Sequence, residues 1–307
     1  MTSKPADTSR ALGVRYPDAA EPEGSTFGPA RMQYASAYAV RPPVQDHPMS
    51  RPESISIDFR SQRIAGVRYP APRPNGAKVL LNHGFGVTRT GVGRAFVDLA
   101  RGLTNSGCTV FAFDRLGHGE SDGRFLDVSV PDELDQLSAM LDHVLADGNG
   151  PVHLVGHSLG GMESACLAAR RPGDLASLTL WAAAAVFVDD VRSGQIQGKS
   201  LDMLRDTGVF DFKGQALGPR FVETAEAFDP FAELGAFTGK VFVHQGEADE
   251  VVPFEYAQKY ADIWSENAVL YRYPDADHGW NRLPDRALLL QRTQADIAGL
   301  ADTGTEH

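Results

Sequence analysis

The chain has 307 residues, of which 42% are apolar and 22% are charged, as in a globular protein of one large domain or a domain with an insertion. The formal charge of −11 argues against a nucleic-acid partner or an anionic membrane surface. No run of about 18 apolar residues predicts a membrane span. Because the N-terminus lacks an apolar stretch, we expect no secretory signal and a cytoplasmic protein.

Residues 1–50 are rich in Pro, Ala, Ser and charge and show no lasting periodicity. We interpret them as an extended or partly disordered arm. Gly13-Val14-Arg15-Tyr16-Pro17 recurs as Gly66-Val67-Arg68-Tyr69-Pro70. A repeat this short is explained by chance. The alternative is that the arm imitates an edge strand and pairs with a sheet edge or with a second subunit in a homodimer.

Strand and helix patterns alternate through most of the remaining chain. Residues 55–69 alternate in polarity around a break at Ser61-Gln62, which predicts a β-hairpin. Apolar strands are predicted at 78–82, 108–113, 152–155, 178–181, 241–244 and 269–271, and helices at 92–103, from Pro131 to Leu145, at 162–171, 254–264 and 286–300. This order predicts an α/β fold: a mostly parallel sheet with helices on both faces, built from residues 51–183 and 239–300, before a tail at 301–307. Cys108 and Cys166 fall within such elements, so no disulfide is expected.

The stretch from 184 to 238, here called the cap segment, is too long for an ordinary loop between two strands. It is rich in phenylalanine. It is interpreted as a helical lid over a cleft, or as a helical hairpin that packs its own small core. Both can hold, since a lid buries one face and exposes another.

Residues 152–161 predict a strand, a sharp turn at Gly156-His157-Ser158-Leu159-Gly160, and a helix. A serine held in such a turn is a nucleophile elbow, and the helix N-terminus favours developing negative charge. The alternative is a glycine-rich turn whose serine only caps the helix.

A serine hydroxyl needs a base to take its proton and an acid to orient the base. Asp249 and His278 each follow a predicted strand downstream of Ser158, and the carboxyl ends of such strands are where ligands bind. The nearest rivals for the acid are Glu247, Glu250, Asp275 and Asp277, with Asp189 or Asp190 more distant.

Two backbone N–H groups are expected to form an oxyanion hole. One belongs to Leu159, directly after the serine, and the other to Phe85 in the loop after the strand at 78–82. The alternative for the second is a simple glycine turn. Further candidates for contacts with the substrate are His83, His157, Phe187, Phe210, Phe212 and Trp280. No pair of histidines has metal-binding spacing, so neither a metal nor a cofactor is expected.

His83-Gly84-Phe85-Gly86, the serine turn, the segment from Glu247 to Pro253 and Asp277-His278-Gly279-Trp280 occur in the order seen in α/β-hydrolases. The chain resembles that superfamily over residues 55–300, and most of all the bacterial feruloyl/cinnamoyl esterase-type serine hydrolases. The segment Asp114-Arg115-Leu116-Gly117-His118-Gly119-Glu120-Ser121 supports this resemblance. It implies an acyl-enzyme route through Ser158, with His278 moving the proton and Asp249 orienting His278.

The leading hypothesis is a hydrolase of carboxylic esters with small, medium or aromatic acyl groups, such as hydroxycinnamoyl, acting on a small-molecule substrate. The alternative is a thioesterase or acyltransferase of biosynthesis with the same three residues. A peptidase and a binding protein that has lost the chemistry also remain open, because one scaffold hosts many reactions.

Overall fold

A computed structural model of the protein describes residues 51–303. The expected N-terminal arm and the end of the C-terminal tail lie outside the described residues. The arm's pairing with a sheet edge or with a second subunit therefore stays a prediction.

Residues 51–303 form twelve strands. They are β1 (Glu53–Phe59), β2 (Gln62–Tyr69), β3 (Lys78–Asn82), β4 (Thr109–Phe113), β5 (Val152–His157), β6 (Ser177–Trp181), β7 (Gln195–Ile196), β8 (Lys199–Ser200), β9 (Phe210–Phe212), β10 (Gln215–Leu217), β11 (Lys240–Gly246) and β12 (Ala268–Tyr273). Eight of them form one sheet in the order β1-β2-β4-β3-β5-β6-β11-β12. The two short pairs, β7 with β8 and β9 with β10, are separate antiparallel hairpins.

The first two strands form the predicted hairpin. Its turn consists of Arg60 and Ser61, both with positive φ (49° and 66°), which matches the right-handed twist of the flanking strands. β2 also pairs antiparallel with β4, whereas the strands from β4 to β12 across the sheet are parallel. The predicted mostly parallel sheet is therefore confirmed.

Helices cover both faces of this sheet. They are α1 (Ala95–Asn105), α2 (Val130–Ala146), α3 (Leu159–Arg170), α4 (Val186–Arg192), α5 (Asp202–Thr207), α6 (Pro219–Glu226), α7 (Phe254–Trp264) and α8 (Leu283–Thr303). One apolar core contains residues of α2, α3 and α7, and a second core contains residues of α1 and α8. β3, β4, β5 and β6 are buried along their whole length, as expected of parallel strands covered on both faces. Cys108 and Cys166 are buried and unpaired, as predicted.

The parallel strands bring four loops to one edge of the sheet. β3 leads to Phe85, β5 to Ser158, β11 to Asp249 and β12 to His278. Because parallel strands end at the same edge, Ser158 and His278 become neighbours there although they are 120 positions apart in the chain.

The cap segment is inserted between β6 and β11, which are neighbouring strands. It contains α4, α5, α6 and both short hairpins. Its phenylalanines 187, 210, 212, 221 and 237 are buried within the larger apolar core. Two of them, Phe212 and Phe221, contact the Phe85 ring at centroid distances of 4.8 and 4.5 Å. The cap aromatics thus pack onto the main core rather than forming a separate one.

Candidate active site

Ser158 sits in a sharp turn between β5 and α3, with φ 57° and ψ −125°. Such a backbone costs a non-glycine residue about 1–3 kcal/mol and persists only where the surroundings enforce it. The Ser158 N–H donates to the carbonyl of Trp181 at 2.9 Å, and its own carbonyl accepts from the N–H of Ala184 at 2.9 Å. Neighbouring strand β6 and the residues after it therefore hold the turn in place.

Two glycines let the strand and the helix approach around the serine. A Cβ on Gly156 would overlap the carbonyl of Gly160, and a Cβ on Gly160 would lie 2.5 Å from the carbonyl oxygen of Asn82. Side chains at either position would push the helix away from the sheet or from the loop that follows β3. The glycines of the motif are required by close packing on this edge of the sheet.

Ser158, His278 and Asp249 are joined by hydrogen bonds. His278 Nε2 lies 2.9 Å from Ser158 Oγ, and His278 Nδ1 lies 2.9 Å from Asp249 Oδ2. With the proton on Nδ1, the ring donates to the carboxylate and its Nε2 accepts from the serine hydroxyl. This is the arrangement in which a histidine removes the proton from an attacking serine.

The Asp249 carboxylate is fully buried and receives several further donors. Its Oδ1 accepts from the N–H groups of Val251 and Val252, both at 2.8 Å, and Oδ2 accepts from Gln245 Nε2 at 3.0 Å. Burial by itself would raise the Asp249 pKa, but the hydrogen bonds from His278 and from the two backbone N–H groups lower it overall. Asp249 is thereby kept ionised beside the imidazole.

The rival acids have other partners. Asp277 accepts from the backbone and side-chain nitrogens of Asn281, and Asp275 pairs with Arg282. Glu247 pairs with Arg272, and Glu250 is exposed. Asp189 and Asp190 lie on α4, where Asp189 accepts from the Tyr256 hydroxyl. Among these acids, Asp249 is the one that bonds to His278.

The loop after β3 passes close to the serine. A Cβ on Gly84 would lie 3.1 Å from the Ser158 Cβ, so only glycine fits there without displacement. The N–H groups of Phe85 and Leu159, the two predicted oxyanion donors, have no hydrogen-bond acceptor within residues 51–303. Both residues line the pocket that holds Ser158. They are therefore free to donate to a group bound beside the serine.

The pocket at Ser158 is narrow. Its apolar walls come from Phe85, Val186, Phe187, Ile196 and Val251, and its polar lining includes Asp190 and Gln197. Asp190 Oδ2 accepts from the N–H of Gln197 at 3.1 Å. Five of these seven side chains, together with Ala184, belong to the cap segment.

A family model described as the alpha/beta hydrolase family matches residues 79–302. The chain belongs to this family. As an α/β-hydrolase it is 38% identical over 110 residues to the human monoglyceride lipase, which is 34% of this chain and 34% of that protein. It is 39% identical over 125 residues to Lipase LipV of Mycobacterium tuberculosis, which is 40% of this chain and 41% of that protein. The chain thus spans less than half the length of these relatives.

Among solved structures, the ferulic acid complex of Est1E from Butyrivibrio proteoclasticus superposes with a TM-score of 0.73. The identity is 22%, over 80% of this chain and 98% of that one. The predicted resemblance to α/β-hydrolases of the feruloyl esterase type is confirmed at the level of the fold. Two of the proteins that match part of this chain are lipases.

Of the six side chains predicted to contact substrate, Phe187 lines the pocket at Ser158. Phe210 and Phe212 are buried in the core, and His83 is buried within the loop after β3. His157 and Trp280 line a smaller apolar space beside α1, on another side of the site. His157 Nε2 donates to the carbonyl of His278 at 3.0 Å, and burial lowers its pKa to about 3, so a neutral ring holds the His278 loop.

Sequence reasoning missed several lining residues: Ala184, Val186, Asp190, Ile196, Gln197 and Val251. Val251 could have been predicted to line the pocket, because it lies two residues after Asp249. The others depend on how the cap segment folds. Within residues 51–303, no group of histidine, cysteine or acidic side chains is arranged to hold a metal ion. No helix in the same range combines the length and apolar character needed to cross a bilayer.

Proposed function

We propose that the protein is a serine hydrolase that cleaves carboxylic esters through an acyl-enzyme on Ser158. The observation that carries this proposal is the hydrogen-bonded chain from Asp249 through His278 to Ser158, which opens onto a pocket with two free N–H groups. The named lipase relatives support the ester as the bond that is cleaved.

In the first half of the reaction, Ser158 Oγ attacks the ester carbonyl while His278 Nε2 takes the hydroxyl proton. Asp249 keeps the Nδ1 proton in place and stabilises the imidazolium. The negative charge on the carbonyl oxygen is received by the N–H groups of Phe85 and Leu159, and one such donor is worth about 2.7–4 kcal/mol. The imidazolium then protonates the departing alkoxide, which leaves the acyl group on Ser158.

In the second half, His278 removes a proton from water, which attacks the acyl-enzyme. The same two N–H groups receive the second oxyanion. When this intermediate collapses, Ser158 takes back its proton from the imidazolium and the carboxylic acid is released. Every proton is thus moved by one imidazole, and water is the second reactant besides the ester.

The cap segment is proposed as the lid that shapes the acyl site. It supplies Phe187, Ile196 and the polar pair Asp190 and Gln197 to the pocket. The mainly apolar walls of this pocket favour a small, medium or single-ring aromatic acyl group. The Asp190 carboxylate offers an acceptor for a hydroxyl, as on a hydroxycinnamoyl ring, and Est1E has been solved with ferulic acid bound.

The test is kcat/KM for methyl ferulate, a monoacylglycerol, p-nitrophenyl butyrate and an acyl thioester, with Ser158→Ala as the blank. We expect the oxyesters to be turned over and Ser158→Ala to be inactive. Ser164→Ala, one helical turn further along α3, is the matched control and should retain activity. A preference for the thioester would select a thioesterase or acyltransferase instead. Turnover by Ser158→Ala within tenfold of the unmodified protein would overturn the mechanism.

A further inference from the structure

A buried charged cluster lies directly behind the loop that carries Phe85. Arg115 is fully buried between α2, α3 and this loop. Its Nε donates to Glu133 at 2.9 Å, and its Nη1 donates to Glu163 at 3.0 Å. A guanidinium withdrawn from water in this way is retained only where its donors are all used. The other contacts of the guanidinium, made by its remaining donors, identify the part of the structure that it positions.

Those remaining donors reach the loop's backbone. Arg115 Nη1 also lies 2.7 Å from the His83 carbonyl oxygen, and Nη2 lies 3.0 Å from the Gly84 carbonyl oxygen. The Gly84 carbonyl belongs to the same peptide unit as the Phe85 N–H. The cation is therefore bonded to one end of the amide whose other end is the proposed oxyanion donor.

His83 completes this arrangement. Its Nε2 accepts from the Arg115 backbone N–H at 3.1 Å, so the ring proton is on Nδ1. Nδ1 lies 2.8 Å from the Gly84 carbonyl oxygen and donates to it. Burial, followed by the nearby Arg115 charge, lowers the His83 pKa well below its ordinary value and keeps the ring neutral. The Gly84 carbonyl thus accepts two hydrogen bonds from fixed donors.

The two carboxyl groups of the cluster do not both carry a negative charge beside the single positive charge of Arg115. Burial and the neighbouring Glu133 raise the Glu163 pKa well above its ordinary value, against the lowering effect of Arg115. One oxygen of each carboxyl group lacks any other partner in the described part of the chain. A proton on Glu163 removes one negative charge from the cluster.

We propose that Arg115 is a positioning residue of the oxyanion hole: by bonding to the Gly84 carbonyl, it fixes and polarises the Phe85 N–H that receives the negative charge. This inference rests on the proposed serine hydrolase mechanism. Hydrogen bonds in a chain strengthen one another, and a charged donor on the carbonyl makes the N–H of that amide a better donor. The effect appears when the oxygen becomes charged, not when the neutral ester binds.

The test compares Arg115→Lys and Arg115→Met with Glu163→Gln. Lysine keeps a positive charge beside the carboxyl groups, but one ammonium group cannot reproduce the guanidinium's fork to the carboxylates and the Gly84 carbonyl. Glu163→Gln leaves the contacts of Arg115 with both carbonyls and with Glu133. The readouts are kcat and KM for p-nitrophenyl butyrate, the inhibition constant of a trifluoromethyl ketone that forms an oxyanion on Ser158, and the melting temperature.

Removing one oxyanion donor costs about 10²–10³-fold in kcat, so misaligning it should cost about 10- to 100-fold. We expect both arginine variants to lose kcat and trifluoromethyl ketone affinity by that factor, with KM nearly unchanged. Glu163→Gln should keep both values within about threefold of the unmodified protein. A folded arginine variant with unchanged kcat, or with unchanged inhibitor affinity despite a lower melting temperature, would overturn the inference. If Ser158→Ala also turned over ester, the mechanism itself would fail instead.

Discussion

Replacing Asp249 by asparagine is expected to abolish most of the activity through the tautomer of His278. The carboxylate accepts four hydrogen bonds: from the backbone N–H groups of Val251 and Val252, from Gln245, and from His278. An asparagine oxygen in the Oδ1 position keeps the two backbone bonds. Its NH₂ group then faces His278 Nδ1, where the carboxylate oxygen accepted a hydrogen bond.

This exchange turns an acceptor into a donor. The imidazole responds by moving its proton to Nε2, so that Nδ1 can accept from the amide. Nε2 then donates toward Ser158 Oγ, now 2.9 Å away, and cannot take the serine proton. Enforcing the wrong tautomer in a serine hydrolase lowers kcat by about 10⁴-fold, which is about 5.4 kcal/mol at 1.36 kcal/mol per tenfold. KM should change little because Asp249 does not line the pocket.

The assay is steady-state hydrolysis of p-nitrophenyl butyrate, with circular dichroism to confirm that the variant is folded. Asp277→Asn is the matched control because Asp277 lies one residue before His278 but bonds to Asn281. That variant should keep kcat within about threefold of the unmodified protein. If Asp249→Asn retained a tenth of the activity, or if Asp277→Asn were the damaging change, the assignment of the acid would be refuted.

Three further outcomes are expected. Gly160→Ala should destabilise the fold by about 1–3 kcal/mol, because its Cβ would lie 2.5 Å from the Asn82 carbonyl oxygen. Gly173→Ala is the control, because a Cβ at Gly173 meets no atom within 4 Å, and it should leave the free energy of unfolding in urea unchanged. Burial lowers the pKa of His153 from 6.5 to about 4 in the folded protein. Between pH 6.5 and pH 4 the histidine is therefore protonated in the unfolded chain but neutral in the folded protein, so the free energy of unfolding falls as the pH drops through this range. His153→Gln should remove about 2 kcal/mol of the difference between unfolding free energies at pH 7 and pH 5; an unchanged difference would contradict this. Asp190→Leu should lower kcat/KM for methyl ferulate about tenfold relative to methyl cinnamate, and an unchanged ratio would remove Asp190 from recognition of the hydroxyl.

The sheet and its helices were predictable because the parallel strands are buried on both faces. Both β3 and α7 have the predicted bounds. Most other elements differ by a few residues at their ends. β6 begins at Ser177 and β11 at Lys240, one residue before the apolar run in each case. Backbone pairing with a neighbouring strand extends beyond the apolar side chains, so the apolar pattern does not predict the first residue of the strand.

The short hairpins of the cap segment were not predicted. β7 and β8 have two residues each, and β9 and β10 have three, which is too short for an alternating pattern to appear. The cap segment, which was expected to be a helical lid or a helical hairpin, combines three short helices with two β-hairpins. Phe210 and Phe212 entered the substrate candidates only because they are aromatic. Both point into the core, a property that depends on the packing of the whole cap.

The candidate catalytic residues could be proposed from the sequence because each follows a strand in a fixed order, and the sheet brings such positions together. The Arg115 cluster could not, because it joins residues 18 and 48 positions apart through contacts between α2, α3 and the loop after β3. The sequence around Arg115 does not indicate which carbonyl groups its side chain will contact. The sequence thus indicates which residues carry the reaction, whereas the residues that position them from distant elements are identified only in the folded structure.

The most direct measurement is the site of covalent labelling by a fluorophosphonate, read by mass spectrometry of the digested protein. One adduct is predicted, on the peptide that carries Ser158, because this hydroxyl is activated by His278 at 2.9 Å. Labelling and ester hydrolysis should both be lost in Ser158→Ala and kept in Ser164→Ala. An adduct on another residue, or hydrolysis that continues after Ser158 is removed, would contradict the proposal that Ser158 is the nucleophile.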